Sequence, residues 1–343
     1  MKKIIIVIAI LLLTACSSKK NISDVLQNNF ELRTISNNNS TPSINLENDH
    51  LKEILLLLHY NFTSEKIKEH FNMSDSVYNV RINDLFGEGL IKKISEGEFV
   101  PTCMIIDAEE GKVIKKTADS LGREMSEIAV DRFEKVKSAY FKISSFKKIP
   151  FETASLFILG NVLHNYWQMK FIEERFIKSF PPLRGSSRYY LALLQNQNKN
   201  NSEPFGLFSS RFRKIGNYTI NLYGNKFGDG FPSYTEKELD NLFRTKNSTL
   251  LLVNESDQKK LEELALIITQ DLLNYLERNR PLFVKLYLNS VYKDQTSFRE
   301  WFMWFYQFMI TKTTNTLIEK RFIKKPSSDS TFYVLMKEIL KNY

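Results

Sequence analysis

The sequence predicts a mainly α protein with a minor β component, of the α+β class. Two observations carry this. Apolar residues recur at three- and four-residue steps over long stretches, as in Ile114, Ala118, Leu121 and Met125, and again in Leu261, Leu264, Ile268 and Leu272. Five of the twelve glycines crowd between Gly206 and Gly230, around the strand-like stretch 218–223. Strand signals elsewhere are short. A chain of 343 residues has room for about two domains of ordinary size, each with its own core.

The chain opens with Lys2 and Lys3, an apolar run over 4–13, and then Leu13-Thr14-Ala15-Cys16. A basic start, an apolar core of this length and small residues at a cleavage point read as an export signal. The run is short for a membrane-spanning helix. Leu13 to Cys16 resemble the lipobox of bacterial lipoproteins. The resemblance implies cleavage before Cys16, acylation of its sulfur and of the new amino terminus, and residence on a membrane. Ser17 and Ser18, with no aspartate at the sorting position, resemble an outer-membrane address if the envelope is Gram-negative. With Cys16 acylated, Cys103 has no partner within the chain, so stability must come from packing and not from a disulfide.

Residues 16–48 are polar and read as a flexible tether with a short helix near 24–30. Some 30 flexible residues reach about 30 Å, enough to lift a domain off a bilayer. From His50 a tighter pattern starts. The stretch 51–60 is an apolar helix, and Ser64 can cap a second helix with Ile67 and Phe71 on its inner face. Met73-Ser74 makes a turn, and a third helix carries Tyr78, Ile82 and Leu85 before Gly87-Glu88-Gly89 ends it. Strands over 92–95 and 98–106 flank Glu96-Gly97 as a hairpin. This order over 49–107 resembles the winged helix-turn-helix family.

The remainder, 108–343, reads as a larger helical domain with a small β insertion near 205–253. A long amphipathic helix covers 109–140, and a second runs from Phe151 to Ser179 before Pro181-Pro182. Residues 189–195 are expected to continue the helical region. After Ser256 one stripe ends at Arg280-Pro281, and Phe298, Trp301, Phe302, Phe305 and Phe308 form another. Residues 172–178 (IEERFIK) recur at 318–324 (IEKRFIK), matching at six of seven positions. Each copy ends an aromatic-rich helix and precedes a proline and an aromatic pair. The echo suggests two helix–turn–helix units about a pseudo-twofold axis.

Charge and motifs limit the functions open to the chain. The formal charge is +9, but Lys and Arg are dispersed, in keeping with a composition rich in Lys, Ile, Asn and Phe. Between His50 and Ile106 six Lys/Arg face eight Asp/Glu, the wrong balance for phosphate neutralisation. None of the four histidines forms an H-E-x-x-H pair, so no metal site is expected. No cofactor motif is present either. His164, with Glu173 and Glu174 further along its helix, is the best catalytic constellation available, and a lone histidine does not make a site. Cys103 reads as a small buried hydrophobe. Around the glycine-rich stretch, Arg211, Tyr218, Tyr223, Lys226 and Phe231 mix cations and rings as a ligand or glycan site does.

The expectation from sequence is therefore a non-catalytic, lipid-anchored envelope protein that binds an envelope protein or glycan, or serves as a structural module. An envelope hydrolase built around His164 is one alternative. A winged-helix DNA-binding regulator is another.

Overall fold

A computed structural model describes residues 20–36, 40–196, 202–227, 230–245 and 250–336. Cys16 and the export signal lie outside the described residues. Helix α1 (Ile22–Leu26), capped by the Asn21 side chain, leads into strand β1 (Phe30–Ile35). Then come α2 (Leu51–His59), α3 (Ser64–Phe71) and α4 (Asp75–Gly87), the hairpin β2 (Ile91–Ser95) and β3 (Glu98–Pro101), and the short β4 (Met104–Ile106). Thr63, one residue before the expected Ser64, caps α3, and Ser74 caps α4.

Helix α5 (Ala108–Asp131) starts on a capping box made by Asp107 and Glu110, and α6 (Phe133–Tyr140) follows a break at Arg132. A 3₁₀ turn (Ser144–Phe146) precedes α7 (Phe151–Ser155), a π-helical segment (Leu156–Val162), α8 (Tyr166–Phe171) and a second π segment (Ile172–Ile177). The helix expected over 151–179 is thus interrupted, most sharply at Asn165 (φ −115°, ψ −110°). The small ladder of β5 (Leu183–Arg184) and β6 (Ser187–Arg188) precedes β7 (Tyr190–Gln195). The second half comprises β8 (Ser209–Ile215), β9 (Tyr218–Gly224), α9 (Glu236–Thr245), β10 (Leu251–Val253), α10 (Glu255–Leu288), a 3₁₀ turn (Val291–Lys293), α11 (Phe298–Glu319) and β11 (Ser330–Met336). The protein is mainly α with some β.

Four sequence expectations are corrected. Residues 20–36 are not tether: β1 pairs antiparallel with β7 from Phe30↔Gln195 to Ile35↔Tyr190, and Val25 and Phe30 are buried. Their apolar residues are too widely spaced to stand out from a polar composition. Residues 190–195 form a strand, not a helix. All six are buried because β7 is central and covered on both faces, so alternation, the usual strand signal, is missing. Helix α10 runs through Pro281. Proline removes one helical hydrogen bond, but Phe283 just beyond it is fully buried between Phe176, Phe302 and Phe305 and holds the helix on course. Strand structure also extends past the expected insertion at 205–253, since β11 pairs with both β9 and β10.

The expected boundary at residue 107 is not a boundary in packing. Strand β4 leaves the β2–β3 hairpin and pairs parallel with β7. One face of the β1-β7-β4 sheet, through Tyr189, Leu191, Leu193, Cys103 and Ile105, closes the core of α2, α3 and α4. Its other face, through Tyr190, Ala192, Leu194, Met104 and Ile106, packs on α5, α10 and α11. A single sheet serves two cores.

The repeated heptapeptide belongs to a larger correspondence. At one constant sequence offset, N-caps Asp107 and Asn254 correspond, and both head capping boxes. At the same offset Ile114, Ala118, Leu121 and Met125 match Leu261, Ala265, Ile268 and Leu272, all buried. The Tyr140 hydroxyl donates to the Ile149 carbonyl and the Tyr287 hydroxyl to that of Thr296, each at 2.8 Å. The 3₁₀ turns start at Ser144 and Val291, and the next helices at Phe151 and Phe298. Contacts between the halves are reciprocal: Ser145 donates to Asp257 and its counterpart Tyr292 to Glu110, both at 2.7 Å. Central strands β7 and β11 each lie between one parallel and one antiparallel neighbour.

The two units are therefore strand–helix–helix–strand, not the expected helix–turn–helix. By the heptapeptide the offset has shortened by one residue. The first copy carries the extra residue in the helical run that relaxes into π geometry, which accommodates one inserted residue.

Candidate functional site

The residues singled out in the sequence do not converge. His164 is fully buried. Its Nδ1 lies 2.6 Å from the Leu159 carbonyl, and the Tyr306 hydroxyl donates to the His164 carbonyl at 2.8 Å. Loss of hydration pushes its pKa down to about 4. Glu173 is buried near Tyr190, whereas the adjacent Glu174 is exposed. The three do not form one site, and His164 acts as a core residue of the broken helix.

That placement makes stability pH-dependent. A histidine whose folded pKa lies below its unfolded value of about 6.5 binds more protons in the unfolded chain, so stability rises with pH between those values. From pH 6.5 down to about 4 the His164 contribution is expected to fall by roughly 3 kcal/mol. Urea unfolding of wild type and His164→Gln across this range measures it. The variant is expected to show a flatter profile, and parallel profiles would refute the assignment.

The aromatic and cationic residues of the glycine-rich stretch are also dispersed. Tyr218 and Tyr223 lie five residues apart on β9 and therefore face opposite sides of the sheet. Tyr218 donates to Asp240 at 2.5 Å beneath α9, and Tyr223 is buried against the helices. Phe231 packs with Tyr218 in the small outer core, and Lys226 is exposed beside the bridge to Ser202. Arg211 works as a clamp. It contacts the buried Glu203 at 2.7 Å and covers the Phe227 ring at 4.3 Å, while Arg33 of β1 reaches the same carboxylate at 2.6 Å.

The segment after Glu203 borders a cleft of about 330 Å³ that the sequence did not disclose. Its walls are α5 (Lys115, Asp119), the second half of α11 (Phe308, Lys312, Asn315) and the segment 205–208. Phe205 adopts a left-handed conformation (φ 57°) that costs a bulky residue energy. Its ring covers Gly111 on α5, where a Cβ would come within 2.2 Å of the ring, and lies 5.6 Å from the Phe308 ring. The Phe208 amide donates to Thr311 at 3.0 Å and fixes the other end of the segment. The cleft presents ammonium groups (Lys115, Lys312, Lys325), carboxylates (Asp119, Glu319), amides and an aromatic floor. Lys312 is paired with Glu319 at 3.6 Å and Lys325 with Asp329 at 2.5 Å. Such a surface, with charges of both signs, can hold a polar group. Its lining includes no histidine, cysteine or serine, and its one hydroxyl, on Thr311, accepts from the Phe208 amide.

A second polar cluster lies at the start of α5. His59 Nδ1 is 2.8 Å from Gln295 and its Nε2 is 3.6 Å from Glu110, while Asp107 accepts from Lys20 at 2.6 Å and Tyr60 at 2.8 Å. Asp107 and Glu110 are capping residues with counterparts in the second half, which marks their role as structural. Among the described residues no group of three or more His, Cys, Asp or Glu could hold a metal ion. Cys103 is buried and its thiol pushed up to about 12, so it is protonated at neutral pH.

A third polar feature joins the parts of the molecule. Arg184, 1% exposed, meets the fully buried Glu300 of α11 at 3.1 Å. The guanidinium also donates to the Gly89 carbonyl at 2.6 Å and to Thr102, and Glu300 accepts from the Leu191 amide at 2.8 Å.

Fold and site together define the class only broadly, a mainly α protein with some β and a small polar cleft. No protein-family model, curated protein or solved structure matches the chain.

Proposed function

We propose that the chain is a lipid-anchored envelope lipoprotein whose folded part binds another macromolecule, or acts as a structural module, without catalysing a reaction. The observation that carries this reading is the lipobox-like Leu13-Thr14-Ala15-Cys16 behind a basic and apolar leader. Two or more acyl chains at Cys16 give stable membrane residence, whereas one does not. No helix among the described residues is long and apolar enough to cross a membrane. Fatty-acid labelling with membrane fractionation tests the reading. Label and membrane association are both expected in wild type and absent in Cys16→Ala; an unlabelled wild type would overturn it.

The contact surface in this reading includes the winged helix-like segment 49–107. Support for this comes from the order of elements, three helices and then a hairpin, which is the order the resemblance implies. The exposed side of α4 presents Val77 and Val80, 43% and 49% exposed, and the hairpin presents Ile94. Arg81 is tied to Asp49 at 2.9 Å. A face of valines and uncharged polar side chains, with its arginine paired to carboxylates, suits a protein partner better than phosphates. The full chain is accordingly expected to show no salt-sensitive affinity for duplex DNA in an anisotropy titration. Binding that falls steeply with added salt would favour the regulator reading instead.

A further inference from the structure

The distance between Cys16 and the folded body is short. Lys20 is already pinned: its Nζ lies 2.6 Å from Asp107 and 4.4 Å from the centre of the Tyr60 ring. Asn21 caps α1, and Val25 is buried. Four Cα steps separate Cys16 from Lys20, a span of at most about 14 Å even when fully extended. A lipid on Cys16 therefore cannot hold the body at the distance a 30-residue tether would allow.

We infer that the protein lies directly against the phospholipid headgroups, on the corner formed by the start of α5 and the end of α10. This rests on reading Cys16 as acylated. Asp107, the N-cap of α5, binds Lys20, and one turn later Glu110 accepts from the Tyr292 hydroxyl at 2.7 Å. That bond brings the 3₁₀ turn after α10 to the same corner. Exposed apolar residues lie on the elements that meet at this corner: Val113 of α5 is 70% exposed, Leu288 at the end of α10 54% and Val291 of the 3₁₀ turn 56%. Pro281, Val284 and Leu288 continue along one side of α10 as an apolar groove. Exposed lysines 112, 116, 285 and 293 flank the apolar residues, against Glu109 and Asp294. Apolar side chains among lysines are the composition of surfaces that rest at a bilayer interface, where apolar groups enter the headgroup layer and ammonium groups meet lipid phosphates. The tether length selects the membrane over a soluble partner as occupant of this corner.

The test uses the full-length acylated protein in phosphatidylethanolamine–phosphatidylglycerol vesicles that carry a nitroxide on a fraction of the headgroups. Val113→Cys and Leu288→Cys each receive an environment-sensitive fluorophore; native Cys103 is buried and does not compete. Leu266→Cys is the control. It is 44% exposed on the same helix as Leu288 and about 33 Å away along it at 1.5 Å per residue. Quenching at 113 and 288 is expected to exceed that at 266 several-fold. Equal quenching at all three positions, in protein whose acyl mass has been verified, would overturn the orientation while leaving the anchor intact. Protein that carries no acyl mass would overturn both, and the mass distinguishes the two failures.

Discussion

Replacing Glu300 by Ala is expected to destabilise the protein by about 3–5 kcal/mol, read as a fall in the urea midpoint at unchanged slope. The cost comes less from the lost bond than from what remains. Arg184 would keep its charge at 1% exposure with its carboxylate partner gone and only the Gly89 and Thr102 oxygens accepting its hydrogen bonds. The Leu191 amide in the central strand would lose its acceptor as well. Burial pushes the Glu300 carboxyl above its usual range although Arg184 opposes this, a sign of how strongly the site disfavours charge. The double variant Arg184→Met, Glu300→Leu should recover most of the loss, because an apolar pair of similar volume leaves no charge stranded. A double variant as unstable as the single one would show that the pair does more than neutralise itself.

The second large effect is expected at Gly122. Glycine inside a helix normally costs about 1 kcal/mol relative to alanine, so Gly→Ala at an open helical position stabilises. At Gly122 the sign should reverse. An added Cβ would lie 2.6 Å from the Met309 carbonyl oxygen and 2.8 Å from the Lys312 Cβ, neither of which can swing aside. Helices α5 and α11 meet there across the two halves, and the Thr313 hydroxyl donates to the Gly122 carbonyl at 2.8 Å. Overpacking of this kind costs about 1–3 kcal/mol. Gly87→Ala provides the contrast, since nothing lies within 4 Å of its added Cβ. Urea unfolding is expected to show Gly122→Ala destabilised and Gly87→Ala neutral or slightly stabilised. A stable Gly122→Ala protein would mean that the helices pack less closely than described.

Helices were the legible part of the sequence. Ile114 to Met125 and Leu261 to Leu272 repeat at the helical period because one side of each helix faces a core and the other does not. Where burial is complete that contrast vanishes. Strand β7 is buried throughout and apolar up to Gln195, so it gave no sign of its period, and β11 showed only the pair Phe332-Tyr333. The first strand failed for the opposite reason, its few buried residues being diluted by polar neighbours. Pro281 misled because a local rule was overridden by the packing of Phe283 two residues later.

The correspondence between the halves was legible only at its most identical point, the heptapeptide. Its wider extent resides in caps, burial and hydrogen bonds that different residue types supply, as when Ser145 and Tyr292 perform corresponding contacts. Comparing the capping boxes at 107–110 and 254–257 at a shared offset is the sequence test that would have found it. The cleft left no such signal, since its lining comes from segments far apart in sequence and depends on a left-handed Phe205. The Arg184–Glu300 pair spans 116 residues of sequence and had no local signature.

Whether Cys16 anchors the protein is decided by the intact mass of the mature chain. The expected polypeptide begins at Cys16 and carries the added mass of a diacylglyceryl group with an amide-linked acyl chain. A mass equal to the unmodified chain starting at Met1, or to a cleaved chain without acyl groups, would contradict it.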